Sequence, residues 1–203
     1  MTANRRIVLA SGSPRRRELL ARLGVSFEVV VSGVDESTTT ATAPELTVEL
    51  AERKARAVAA LRPEDLILGS DTVVEVDGRI LGKPASPAEA LAMLRSLRGR
   101  THRVVTGVVV LDAASGTIRG RAAVTAVTMR DVPDAELAAY VATGEPMDAA
   151  GAYAIQGGAA AFVTTVDGAL DTVIGLPTAV VRDLLTAAGT AGTAVPAPAA
   201  NRP

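Results

Sequence analysis

I-V-L-A-S-G-S-P-R-R-R, residues Ile7 to Arg17, passes from an apolar, β-branched run through a Ser-Gly-Ser-Pro turn into a row of arginines. Ile7 to Ala10 has the character of a buried strand, and Pro14 suits the first turn of a helix, where its missing N–H costs nothing. Ser13 is placed to cap that helix, and Leu19, Leu20 and Leu23 give it an apolar stripe at helical spacing. A helix N-terminus presents free backbone N–H groups and a partial positive charge to an anion. Arg15, Arg16 and Arg17 run against the usual preference, since the first turn favours Asp and Glu. A solvated basic face is the ordinary meaning of such a run. Here the arginines stand at the C-terminal end of a strand, where ligands of open α/β sheets bind, so the stretch reads as an anion site that a ligand completes.

Beyond it, Gly24 closes the first helix, Phe27 to Val31 reads as a second strand, and Ser32 to Ala43 is a Ser/Thr-rich loop carrying Asp35 and Glu36. Pro44 opens a helix to about Leu61, with Leu46, Leu50, Val58 and Leu61 on its apolar side and Glu52 and Lys54 along it. Leu66 to Val76 is the longest apolar strand, turned by Asp77-Gly78 into Arg79 to Leu81. Asp71 and Thr72 interrupt it. A carboxylate inside a buried strand is costly without a partner, so Asp71 is either paired structurally or functional. Lys83 follows in Gly82-Lys83-Pro84; the spacing is not that of a P-loop, and the lysine alone reads as a surface residue.

Pro87 to Leu97 forms a helix capped by Ser86, and Thr101 to Leu111 and Thr117 to Met129 form a hairpin, with a short helix over Asp134 to Val141. His102, the sole histidine, reads as a hydrogen-bonded structural residue. Thr143 to Gly158 holds four glycines in sixteen residues, a density suited to close backbone approach to a ligand. Ala161 to Val166 is the last strand, and a helix led by Gly175-Leu176-Pro177 runs to about Leu185. Residues 1–185 therefore form one α/β domain, and residues 186–203, rich in Ala, Gly, Thr and Pro, read as a disordered tail.

Composition narrows the function. Hydrophobic residues make up 48% but aromatics only 2%, so the core is aliphatic and platforms for stacking successive bases are lacking. With a net charge of −1, the chain also lacks the broad basic surface that nucleic-acid binding needs. No apolar span reaches membrane length, and the absence of cysteine excludes disulfides and thiolate metal sites. The expectation is a cytoplasmic protein with no nucleic-acid and no membrane partner.

A-S-G-S-P-R-R at 10–16, V-D-E at 34–36, E-R-K at 52–54, G-S-D-T at 69–72, G-K-P at 82–84, T-H-R-V-V-T-G-V at 101–108, G-E-P-M-D-A-A-G-A-Y-A-I-Q-G from Gly144 and V-I-G-L-P from Val173 together resemble the Maf family of nucleoside triphosphate pyrophosphatases. The resemblance covers Ile7 to Leu185 in order. It implies a mixed, twisted sheet flanked by helices, in two lobes around a central cleft, similar to the inosine triphosphate pyrophosphatase fold. It implies hydrolysis of a nucleoside triphosphate to the monophosphate and pyrophosphate with a divalent cation, Mg²⁺, Mn²⁺ or Co²⁺. A homodimer and a link to septum inhibition are implied as well.

On that basis Asp71, Lys54, Lys83 and Glu36 are the expected catalytic residues, and Asp71 and Glu36 the expected metal ligands. Ser11, Ser13, Arg15, Arg16, Thr72 and Gln156 are the expected substrate-binding residues. Arg15, Arg16, Lys54 and Lys83 come from separate elements and can meet a triphosphate only in a cleft. Asp71 serves either as ligand to a hard cation or as base to the attacking water. Ala149 stands where the family usually has lysine, which bears on affinity or specificity. Arg15, Thr72 and Gln156 resemble the branch preferring dTTP and UTP, and a glutamine amide matches the O4 and N3–H edge of uracil or thymine. The alternatives are a general or modified-nucleotide pyrophosphatase and a nucleotide-binding regulator of division without turnover. A pure binder has no use for both Asp71 and Glu36, because carboxylates near a triphosphate weaken binding unless a cation intervenes.

Overall fold

In the computed structural model, which describes residues 5–36 and 42–189, β1 (Ile7–Leu9) runs directly into α1 (Pro14–Ala21), whose Ser13 hydroxyl accepts from the Arg16 N–H at 3.4 Å. There follow β2 (Phe27–Val29), α2 (Ala43–Ala59), the long β3 (Leu66–Val76), β4 (Arg79–Leu81), α3 (Pro87–Leu97), β5 (Thr101–Asp112), β6 (Ile118–Met129) and α4 (Asp134–Ala142). Short 3₁₀ turns occupy much of the stretch between Glu145 and Phe162, before β7 (Val163–Asp167), α5 (Leu170–Ile174) and α6 (Thr178–Ala187).

The strands form one seven-stranded mixed sheet in the order β2-β1-β3-β5-β6-β7, with β4 added to the far end of β3. β2, β1 and β3 are parallel, and β3, β5, β6 and β7 pair antiparallel. β1 reaches only the first third of β3, Leu66 to Leu68, and β4 joins it only at Val74 to Val76. Between them, from Gly69 to Val73, β3 has no strand of the described residues on that side. This gap in the sheet lies at the C-terminal end of β1, and Asp71 and Thr72 are in it.

Alternation along β3 and β5 sorts the core onto two faces. Ile67 and Val109 pack under Ala51, Ala55 and Val58 of α2, while Leu66, Leu68, Val108 and Val110 pack against α1 and α6. The distal ends of β3 and β5 belong to a further cluster that gathers Val74, Leu94, Leu97, Val104, Met129, Leu137 and Phe162. Two halves thus share the strands β3 and β5. α2 lies close on the sheet because glycines underlie it: a Cβ on Gly69 would overlap the Ala51 carbonyl, and one on Gly107 would overlap the backbone of Thr47. No helix of the described residues is long and apolar enough to cross a membrane.

Several expected boundaries move. β2 ends at Val29 instead of Val31, and β7 begins at Val163 because Phe162 still belongs to a 3₁₀ turn. Leu61 is 69% exposed, since α2 stops before it and the turn points it outward; the buried face of α2 uses alanines in its place. The expected last helix is α6, which starts at Thr178, and a short helix absent from the sequence reading, α5, precedes it and ends at Gly175 with φ +114°. α6 continues past Leu185 to Ala187, and Ala188 packs on the core, so the domain extends further than the sequence suggests. Most of the expected tail, residues 190–203, and residues 37–41 of the Ser/Thr-rich loop lie outside the described residues.

Candidate active site

The gap beside β3 opens into a cleft of about 680 Å³ whose lining includes Ser11, Ser13, Arg15, Arg16, Glu36, Lys54, Asp71, Thr72, Lys83 and Gln156. Each residue expected to act on the substrate therefore faces one cavity, although they come from β1's exit, α1, α2, β3 and three loops.

Asp71 is 5% exposed and sits opposite Gly107 on β5, a position that α2 approaches closely. With no side chain between, Lys54 of α2 reaches down and donates to Asp71 Oδ1 at 2.6 Å. The same ammonium is 2.7 Å from Glu36 Oε1. Lys54, itself 7% exposed, thus carries two carboxylates at the cleft floor. Burial raises the Asp71 carboxyl above its ordinary value, against the opposing pull of Lys54 and Arg16.

Arg16 behaves differently from the free anion-binding cation that the sequence suggests. Its Nε donates to the Gly175 carbonyl at 2.9 Å, Nη1 to the Ser70 carbonyl at 2.9 Å and to Ser11 Oγ at 3.4 Å, and Nη2 to Thr72 Oγ1 at 3.1 Å. The guanidinium ties α1 to β3 and to the turn before α6, and leaves little donor capacity for a phosphate. Burial lowers its pKa from the ordinary arginine range. Thr72, on the face opposite Asp71, also meets Thr106 Oγ1 at 2.9 Å, so its hydroxyl is held by protein groups. The cations with fewer protein ties are at the mouth. Arg15 donates to the Asp148 carbonyl at 2.8 Å, and Lys83 pairs with the Asp148 carboxylate, both with exposed geometry. Gln156, exposed on a turn, also lines the cleft.

Sequence reasoning missed Ser70, Thr106 and Asp148. The Ser70 hydroxyl donates to Gly175 O at 3.0 Å and that of Thr106 to Thr172 O at 2.7 Å, fastening the α5 region to the sheet. Their signal was weak, since small hydroxyl residues in strands seldom announce a partner. Gly107, opposite Asp71, was the better signal, because Gly inside a strand marks close backbone approach. His102 is structural as expected: it is 2% exposed, with Nε2 2.8 Å from the Tyr153 hydroxyl.

For a divalent cation the donor set fits. Mg²⁺-like ions take oxygen ligands and commonly use one or two carboxylates with substrate phosphates completing the shell. Asp71 and Glu36 are two such carboxylates sharing one neighbour, and among the described residues no cluster of three His, Cys, Asp or Glu supplies a complete protein cage.

The family described as Maf-like protein matches residues 6–188. A dTTP/UTP pyrophosphatase of Moorella thermoacetica is 52% identical over 89% of this chain and 93% of its own. Those of Pelotomaculum thermopropionicum and Geobacter metallireducens are each 50% identical, covering 88% and 92% of this chain and 94% and 98% of theirs. A solved structure of a nucleoside-triphosphatase, dITP/XTP pyrophosphatase, from Mycobacterium abscessus covers 92% of this chain and 98% of that one, with TM-score 0.45 and 16% identity.

Proposed function

The chain belongs to the Maf family, and from this we propose that it is a pyrophosphatase hydrolysing dTTP and UTP to the monophosphate and pyrophosphate. The observation that carries the reading is the buried Lys54–Asp71 pair in a cleft whose lining includes Ser11, Ser13, Arg15 and Lys83. The triphosphate lies toward Ser11, Ser13 and the N-terminus of α1, with Arg15 and Lys83 over its outer phosphates. To do so it displaces the Asp148 carboxylate from Lys83, an exchange of one anion for another, and the Asp148 backbone carbonyl from Arg15.

The α-phosphorus then stands beside Asp71. Asp71 accepts the proton of a water as its oxygen attacks that phosphorus; the bond from the α-phosphorus to the oxygen bridging it to the β-phosphorus breaks, and its electron pair leaves on that oxygen with pyrophosphate. Burial, which raises the Asp71 carboxyl, favours such a base by bringing its pKa nearer to the working pH. Lys54 fixes the carboxylate's orientation and offsets charge developing on the phosphoryl oxygens. A divalent cation bound by Asp71 and Glu36 would polarise the α-phosphate and make the water more acidic.

Gln156 is assigned to the base. Its amide can accept from N3–H and donate to O4, and cytosine reverses both atoms, so UTP and dTTP are expected to be hydrolysed well ahead of CTP. Pyrophosphate release measured over UTP, dTTP, CTP, GTP and ATP with added Mg²⁺ or Mn²⁺ tests the reading. Release indistinguishable from that of Asp71→Asn on every nucleotide would leave a binding protein. Equal kcat/KM for UTP and CTP would leave a general nucleotide pyrophosphatase.

A further inference from the structure

Gln156 is exposed on the rim of the cleft, and its position is set by the turn it stands on, in which the Gly157 N–H donates to the Ala154 carbonyl at 3.0 Å. The two ends of that turn are fastened to two side chains that are bonded to each other. The Ala154 N–H donates to the Tyr140 hydroxyl at 3.1 Å, and that hydroxyl donates to Glu145 Oε1 at 2.8 Å. At the other end the Gly158 N–H donates to Glu145 Oε1 at 3.1 Å and Oε2 at 3.2 Å. We propose that Glu145, with Tyr140, is the positioning residue of the base-reading turn and sets discrimination between bases without touching the substrate. The proposal rests on the assignment of Gln156 to the base.

The surroundings are built for this contact. Tyr140 is 5% exposed and packs edge-on against Phe162, with ring centroids 5.3 Å apart, so the phenol is a fixed post. Its own helix end is tied to Glu145: the Thr143 hydroxyl donates to the Tyr140 carbonyl at 2.7 Å and accepts from the Glu145 N–H at 3.2 Å. The carboxylate reaches the turn only because Gly157 has no side chain, since a Cβ there would overlap it. Gly158 is close to the Tyr140 ring for the same reason, with a Cβ predicted 3.2 Å from Cδ2. Neither Glu145 nor Tyr140 is among the residues lining the cleft, which separates holding the turn from contacting the nucleotide. A neutral amide in place of Glu145 would turn a donor toward the Gly158 N–H and lose part of the clamp.

The experiment measures kcat and KM for UTP and CTP in the unaltered protein, Glu145→Gln, Tyr140→Phe, Gly157→Ala and Gln156→Glu, with amide exchange at Gly158 followed in each. Glu145→Gln is expected to reduce the UTP-to-CTP ratio of kcat/KM by about five- to tenfold, the size of one or two hydrogen bonds, while kcat for UTP changes less than threefold. Gly158 exchange should accelerate alongside, Gly157→Ala should reproduce both effects, and Tyr140→Phe should give a smaller version. If Gln156→Glu lowers the ratio while Glu145→Gln leaves it unchanged, the brace is wrong and the base-reading role stands. If the unaltered protein turns over UTP and CTP equally, the role of Gln156 fails first and the brace with it. Equal losses on both nucleotides with a lowered melting temperature would assign Glu145 a purely structural part and overturn the proposal.

Discussion

Asp71 and His102 are both buried polar side chains on neighbouring strands, and their partners give them opposite uses. Asp71 meets an ammonium at the edge of a cleft, whereas His102 meets a phenol inside the core. Asp71→Asn keeps the shape and removes the charge, so turnover is expected to fall by about 10²- to 10⁴-fold with an unchanged circular dichroism spectrum. Retention of more than half the rate would remove Asp71 from the chemistry. For His102, burial lowers the pKa from 6.5 to about 4. Between those values the unfolded chain holds a proton that the folded chain does not, so stability rises with pH through this window, by at most about 1.4 kcal/mol per pH unit. The contribution is complete above the unfolded value and lost as pH falls toward the folded one. Because His102 is the single histidine, urea melts of His102→Gln between pH 7 and 4.5 should show a flatter dependence than those of the unaltered protein. A slope unchanged by the substitution would show that other groups set it.

At the scale of elements, the catalytic pair depends on how closely α2 lies on β3 and β5. Gly107→Ala places a methyl against the backbone of Thr47, which overpacks the contact at a cost of about 1 to 3 kcal/mol and lifts the helix. Lys54 then withdraws from Asp71, so activity should fall by more than the loss of folded protein explains. Full specific activity in the folded fraction would mean that the helix adapts without moving Lys54. At the C-terminus, ending the chain at Leu185 removes the last residues of α6 and Ala188 with its bonds to the Leu184 and Leu185 carbonyls. A melting temperature lowered by several degrees is the expected result, and an unchanged one would show that these residues contribute nothing to the core.

Taken whole, the molecule has two halves on shared strands, with the cleft where β1 has ended and β4 has not begun. Because β3 and β5 run through both, the halves are expected to unfold together. Tyr140 and Tyr153 both lie in the cluster around α3 and α4, so tyrosine near-ultraviolet signals report that half. Leu9→Ala, in the other half, should lower stability by about 2 to 5 kcal/mol and shift the tyrosine and far-ultraviolet transitions equally. Separate midpoints for the two signals would show halves that unfold independently.

The residues by themselves determined the strand–turn–helix at Ile7 to Arg17, the hairpin at Asp77-Gly78 and the cap at Ser86, because each is local chemistry, whereas the set of residues expected in the cleft rested on the resemblance of the motifs to a family. Spacing could not say which cations are free. Arg15 and Arg16 are adjacent in sequence, yet one stands at the mouth and the other is bound to Gly175, Ser70, Ser11 and Thr72. Those partners come from β1's exit, β3 and the turn before α6, so only the folded chain supplies them. The brace from Glu145 to Gly158 likewise joins residues that only the folded chain brings together. A side chain's charge is fixed by its type, but whether that charge meets solvent, substrate or a carbonyl is decided by what the fold brings beside it.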